Sequence, residues 1–290
     1  MAHVTNPLAE EILDKEFKCL NAGFVRLVDY MGGDESIVQA ARVSYGKGTK
    51  SVHEDRGLVR YLMRHMHTTP FEMVELKFHV KLPIFVARQW IRHRTANVNE
   101  YSGRYSVMKD EFYIPEPLAI HRQSRRNKQG RAEEEVPAEL RGKVLDILVA
   151  AQRQTYGEYS DMLDEDIARE LARIHLPLSL YTEWYWKIDL HNLFHFLHLR
   201  LDPHAQHEIR IYGEAMAEIT RKVVPVAWEA FEDYVLKAGT FSRLELSVLS
   251  QQVDASAFTP EFLETKGLKG REAEEFLEKL KKMDIGSEKR

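Results

Sequence analysis

From Met73 to Leu82 apolar and polar residues alternate almost without exception. Val74, Leu76, Phe78, Val80 and Leu82 fall on one face, and Glu75, Lys77, His79 and Lys81 on the other. A period of two sustained this long is the pattern of a strand with one face against a core and the other in water. A helix would scatter the same residues around its axis, so the chain must contain a sheet buried on one side. Pro83 closes the pattern and suits the first position of a helix. Ile84, Phe85, Ala87, Trp90 and Ile91 then give that helix an apolar face, which runs out at Arg92-His93-Arg94.

Other segments follow from the same periodicities. Residues 23–31 (GFVRLVDYM) predict a strand, and Gly32-Gly33 then turns the chain toward a helix over about 36–45, with Asp34 or Ser36 as its cap. Leu58, Val59, Leu62, Met63 and Met66 predict a helix that must stop before Pro70, crowding His65, His67, Thr68 and Thr69 at its end. Residues 138–162 predict one long helix, 166–175 a shorter one, and 178–188 (LSLYTEWYWKI) an aromatic strand. Residues 189–222 are mainly helical, with a break at Asp202-Pro203. The charged run His121–Arg131 predicts a mobile loop. Beyond Gly239 only short, highly charged amphipathic segments remain, so the domain reading is an N-terminal arm (1–22), a main domain (23–238) and a C-terminal helical extension (239–290).

Charge and cysteine content narrow the function. With 41 Lys plus Arg against 45 Asp plus Glu, a formal charge of −4 gives no global basic field for nucleic acid or an anionic membrane, so anion binding must be local. The start MAHVTNPLAEEILDKEF has no apolar signal core and no run of about 18 apolar residues occurs, which makes a cytoplasmic location the expectation. Cys19 is the single cysteine, which excludes an internal disulfide or a thiolate metal cage, and its surroundings fit a buried small hydrophobe better than a nucleophile. Dinucleotide-fold, phosphate-loop, hydrolase-elbow and zinc-helix signatures are all missing.

The polar stretch Arg88–Tyr105 (RQWIRHRTANVNEYSGRY) is what remains. Planar arginine forks beside hydroxyls, amides and a glycine suit a phosphorylated ligand, so Arg92, Arg94, Ser102, Gly103 and Arg104 form a candidate oxyanion cradle, with Glu100 orienting arginines or accepting from a ligand hydroxyl. The bland alternative is a solvated charge run pairing with nearby acids. His191, His195 and His198 share one helical face and can be read as ligands of a metal-dependent phosphohydrolase, although interleaved Phe194, Phe196 and Leu197 favour packed core histidines. A non-enzymatic RNA-binding module built on Arg88–Arg104 and His121–Arg131 is the other alternative, and steep salt dependence would mark it.

Arg92-His93-Arg94, seven residues and Ser102 resemble the R-H-R-x7-S signature of the flavin-dependent thymidylate synthases. The segments H-T-T-P-F-E (67–72), A-R-Q-W (87–90), N-E-Y-S-G-R-Y (99–105), L-P-L-S-L-Y-T (176–182) and L-R-L-D-P-H-A-Q-H-E-I-R (199–210) are similar to that family in the same order, over about residues 23–238. The resemblance implies an α+β fold with a mixed, mainly antiparallel central sheet flanked by long helices. It implies a methyltransferase that converts dUMP to dTMP, with FAD as cofactor, methylenetetrahydrofolate and NADPH as co-substrates, no enzyme thiolate and no metal. It also implies a homotetramer with sites shared between subunits.

Carried over residue by residue, the resemblance puts Ser44, His67, Thr69, Glu72, Arg92, His93 and Arg94 at the flavin. Asp189, His191 and His195 stand where some members have Asn, Arg and Asn, and they count as further flavin contacts. Gln89, Arg92, Glu100, Tyr101, Ser102, Gly103 and Arg104 would hold dUMP, with Arg173 and Arg200 reaching it from another subunit. Arg200 is the expected catalytic cation, stabilising negative charge on the uracil ring. His67 and Ser102 complete the catalytic expectation, with Ser102 better suited to bind phosphate than to act as nucleophile, because no motif histidine activates it.

Overall fold

The strict alternation at residues 74–82 is realised at the centre of a sheet. The computed structural model describes residues 5–43, 52–125 and 130–283. In chain order the elements are α1 (Pro7–Glu10), β1 (Glu16–Cys19), β2 (Gly23–Met31), α2 (Asp34–Ala41), α3 (Val52–Arg64), β3 (Glu75–Pro83), α4 (Ile84–Trp90) and β4 (Asn97–Glu100). A hairpin, β5 (His121–Gln123) and β6 (Arg131–Glu135), precedes the long α5 (Ala138–Asp164) and the short α6 (Arg169–Ala172). Then come β7 (Tyr181–Asp189), α7 (Leu190–Arg200), α8 (His207–Val223) and α9 (Pro225–Phe231), followed by α10 (Arg243–Gln252), α11 (Pro260–Thr265) and α12 (Gly270–Lys282).

The five-stranded sheet runs β1-β2-β3-β7-β4, and every neighbouring pair in it is antiparallel, which sharpens the expected "mainly antiparallel" sheet. Leu76, Phe78 and Val80 on β3 stand opposite Ile188, Trp186 and Trp184 on β7, and all are buried. α4 lays Trp90 over this seam, with ring centroids 5.7 Å from Trp184, 5.3 Å from Trp186 and 4.8 Å from Phe196. Aromatic edges and faces packed this way anchor α4 to the sheet. The polar face of β3 is only half wet. His79 meets Glu183 at 3.1 Å and Arg26 at 2.9 Å, and Lys81 is buried in an ion pair with Glu111 at 2.6 Å.

The structure differs from the sequence expectation in several places. Within the 1–22 segment, β1 pairs with β2 and buries Cys19, so this part of the chain completes the sheet. Burial pushes the Cys19 thiol up to about 12, the setting of an inert thiol. Asp34 does not cap its own helix, whose N-cap is Gly33; it accepts instead from the backbone N–H groups of Val226 (2.9 Å) and Ala227 (2.8 Å) and so caps α9. Pro83 ends β3 and stands at the N-cap of α4 rather than at its first turn. Met66 leaves the apolar stripe of α3: it has φ 59° and is 74% exposed, while His67 N–H returns to the Leu62 carbonyl at 2.9 Å. That is the left-handed helix ending that usually takes glycine.

Two polar stretches also gain structure. Residues 97–100 form an edge strand against Lys187–Trp184, and His121–Arg131 opens and closes the β5–β6 hairpin, with residues 126–129 outside the description. Neither strand buries an apolar face, so periodicity could not signal them. Residues Met1–Leu236 form one compact unit and Lys237–Arg290 a second. In the second, Phe258 packs edge-on against Phe262 (6.3 Å) and Phe276 (5.6 Å), and Leu263, Ala273 and Leu280 are buried.

Candidate active site

β4 ends at Glu100, opposite Trp184, and the chain then leaves the sheet in a tight turn. Tyr105 N–H and Ser106 N–H both donate to the Ser102 carbonyl at 3.1 Å, and Arg104 N–H donates to Ser102 Oγ at 3.3 Å. This turn forms one wall of a cavity of ≈ 290 Å³ lined by Glu100, Tyr101, Ser102, Gly103, Arg173 and Thr182 among others. Apolar Ile84, Met108, Leu176 and Leu180 form the rest of its lining. Few convergent polar groups on an apolar floor make a ligand site, here at the small end of the usual range of about 300–1,000 Å³.

Within the cavity Thr182 Oγ1 donates to Glu100 Oε1 at 2.8 Å, which fixes the carboxylate. Gly103 is buried because its neighbours leave no room: an added Cβ would lie 2.8 Å from Met108 Sδ and 3.1 Å from Arg173 Cδ. Its small size therefore serves side-chain packing and brings Arg173 onto the turn within this chain. Arg104 points outward to Glu170 at 3.4 Å with both side chains more than half exposed, a pair worth little in stability. Tyr101 donates its hydroxyl to the Val107 carbonyl at 2.7 Å, holding the far side of the turn.

A second cluster forms along α7. Arg200, in its last turn, donates from Nε (3.1 Å) and a terminal nitrogen (3.0 Å) to His93 Nε2. An imidazole nitrogen that accepts two guanidinium N–H groups must be unprotonated. Burial, then the Arg200 cation and His195, bring the His93 pKa down to about 4. The His195 ring centroid is 6.1 Å from that of His93, and Phe196 packs edge-on at 4.8 Å. Asp189 caps α7, accepting from the backbone (2.9 Å) and side chain (2.7 Å) of Asn192, whose carbonyl oxygen in turn accepts from Thr95 at 2.8 Å. α7 thus gathers the Arg92–Thr95 segment along its length.

The remaining expected residues are less closely joined. Arg92 and Arg94 are exposed on the connection from α4 to β4, and among the described residues no hydrogen bond or ion pair engages either guanidinium. Two adjacent unpaired cations do not behave as a surface run neutralised by acids, and they fit an anionic group such as the diphosphate of a dinucleotide. His67 and Thr69 are exposed and Glu72 half-buried where α3 gives way to the 3₁₀ turn at 69–73, which packs on α7 through Phe71 and Phe194 (6.4 Å). Gln89 on α4 donates to Gln206. Ser44 lies outside the described residues.

The expectation of core histidines on α7 fails. His195 and His198 are exposed and His191 is half-buried, because Leu190, Leu193, Phe194, Phe196 and Leu197 take the inward positions. Among the described residues no group of three or more His, Cys, Asp or Glu is placed to hold a metal ion, which removes the support for the phosphohydrolase alternative.

A family model described as thymidylate synthase complementing protein matches residues 26–226, which include both clusters. The chain belongs to this family. Among curated relatives, a flavin-dependent thymidylate synthase of Rickettsia conorii is 54% identical over 286 residues, 94% of this chain and 96% of that protein. One of Treponema denticola is 57% identical over 269 residues, 93% of this chain and 98% of that protein. Among solved structures, the UMP/dUMP methylase PolB of Streptomyces cacaoi bound with 5-Br dUMP is similar with TM-score 0.69 and 33% identity, covering 76% of this chain and 99% of that one.

Family membership does not depend on the residues that sequence reasoning overlooked. Thr182 is one: it was readable as the only polar residue at the inward positions 182, 184, 186 and 188 of β7. Asn192, Gln206 and Glu208 left no such signal, since amides and acids on helices ordinarily face water.

Proposed function

We propose that this chain is a flavin-dependent thymidylate synthase that methylates dUMP reductively to dTMP, with methylenetetrahydrofolate as carbon donor and NADPH as reductant. The observation that carries the reading is the cavity in which Glu100, Ser102, Gly103 and Arg173 converge, within the segment matched by the family. Arg173 and the N–H groups of the Ser102–Arg104 turn suit the phosphate, and Glu100, fixed by Thr182, is an acceptor for a sugar hydroxyl. Arg200 is the fixed cation for the charge that develops on the uracil ring, and His93 holds its fork in one orientation without competing for a proton.

The exposed Arg92 and Arg94 suit the diphosphate of FAD, with His67, Thr69, Glu72, Asp189, His191 and His195 arranged around α7 as its other partners. FAD, when bound, supplies hydride transfer from NADPH to the nucleotide. The lone cysteine, buried with its thiol pushed up to about 12, supports a route without enzyme thiolate. Among the described residues no helix is long and apolar enough to cross a membrane, and we place the enzyme in the cytoplasm as a homotetramer by its resemblance to the family. The test is product formation. Purified protein given FAD, NADPH, methylenetetrahydrofolate and dUMP is expected to yield dTMP, and loss of dTMP on omission of FAD is required; dTMP formed without FAD, or none formed with it, overturns the proposal.

A further inference from the structure

Glu208, in the first turn of α8, is only 2% exposed, yet it lines neither the cavity nor the His93–Arg200 pair. Its carboxylate takes three donors from separate parts of the chain. Tyr113 hydroxyl donates to Oε1 at 2.9 Å, the Arg131 guanidinium on β6 donates to the same oxygen, and the Gln206 amide donates to Oε2 at 2.9 Å. Burial pushes this carboxyl up, but the Gln206 amide and the Arg131 charge outweigh it and hold the pKa below the usual value. Exchanging a buried ion pair for apolar groups is often neutral or stabilising, so stability alone gives little reason for one. A group fixed as an acceptor has a further use.

A carboxylate can only accept, so the Gln206 group facing Glu208 must be its NH2. The Gln206 carbonyl oxygen is then turned toward Gln89, and it accepts from the Gln89 amide nitrogen. That in turn leaves the Gln89 carbonyl oxygen as the acceptor available to a ligand. Each amide's orientation is set by the one before it, and the series begins at the one group whose polarity cannot be reversed.

We propose that Glu208 is a positioning residue that sets the polarity of a Glu208–Gln206–Gln89 hydrogen-bond relay, so that Gln89 presents its carbonyl oxygen to an N–H or O–H of the substrate. This rests on the reading of Gln89 as a dUMP contact. Without the charge, a neutral group at 208 lets both amides rotate, and half of the Gln89 orientations turn a donor toward the donor of the ligand.

The experiment is a double-mutant cycle on the full FAD-loaded protein, reading Kd and KM for dUMP, kcat and flavin content. Glu208→Gln and Gln206→Leu are each expected to raise Kd and KM for dUMP about tenfold, with kcat within about twofold of wild type and flavin absorbance retained. Because both substitutions break one series, the double variant is expected to be no weaker than either single one, whereas independent structural losses would multiply. Gln206 is at the N-cap position of α8 and exposed, so its variant remains informative if Glu208→Gln lowers expression. Unchanged dUMP affinity in Gln206→Leu, or multiplying losses in the double variant, overturns the relay alone while wild-type binding stands. Failure of the wild-type protein to bind dUMP overturns the reading of the site and the relay with it.

Discussion

At His93 a single ring nitrogen receives both donors from Arg200, and the ring's charge follows from that geometry. An unfolded histidine titrates near ~6.5, but burial and the facing cation bring His93 down to about 4. Between those values the unfolded chain binds more protons than the folded one, so stability falls as pH drops through that window and levels off below it. Replacing Arg200 with Gln removes the cation but not the burial, so the His93 midpoint is expected to rise part of the way toward ~6.5, read by histidine 15N NMR; an unmoved midpoint would assign the whole shift to burial. Arg200→Lys keeps charge but loses the fork, and turnover is expected to fall far more than flavin content. Equal losses of both would remove Arg200 from the chemistry. At Gly103 a methyl group would press on Met108 and Arg173, so Gly103→Ala is expected to weaken dUMP binding about tenfold, ~1.4 kcal/mol, without affecting flavin absorbance. Unaltered dUMP affinity in that variant would show that Arg173 does not need its present seat.

Among the elements, those with a buried face were legible and those without one were not. β3 and β7 could be read from alternation because each buries every second residue, and α5 from its long helical period. β4 and the β5–β6 hairpin escaped because their hydrogen bonds, rather than apolar burial, hold them in place, and β1 because a four-residue strand that turns only Phe17 and Cys19 to the core is too short to show a period. The R-H-R and E-Y-S-G-R runs were visible as polar clusters, but the partners that fix them, Arg200 for His93 and Thr182 for Glu100, come from distant segments joined only by folding. Asp34 shows the same limit for caps, since the backbone N–H groups it accepts from lie 192 and 193 residues further along the chain. Asp34→Ala strands two backbone N–H groups at the start of α9, with an expected cost of roughly 1–3 kcal/mol and faster amide exchange at Val226 and Ala227. Slow exchange persisting there in the variant would contradict the capping role.

Over the whole molecule, the sheet with its covering helices brings together two sets of groups that are neighbours in sequence but face different elements. Glu100–Gly103 meet Arg173 across a cavity, and His93 meets Arg200 along α7. The seven residues between Arg94 and Ser102 include all of β4, so one edge strand separates the Arg92–Arg94 run from the turn at Ser102. The family match ends within residues 26–226, and the second unit, Lys237–Arg290, lies wholly beyond it. The central claim, a flavin held beside a dUMP site, is tested most directly by the absorption spectrum of the purified protein before and after NADPH and dUMP are added. The account predicts a flavin band that bleaches with NADPH, faster when dUMP is present; a protein that cannot be loaded with flavin, or whose flavin responds to NADPH identically with and without dUMP, would contradict it.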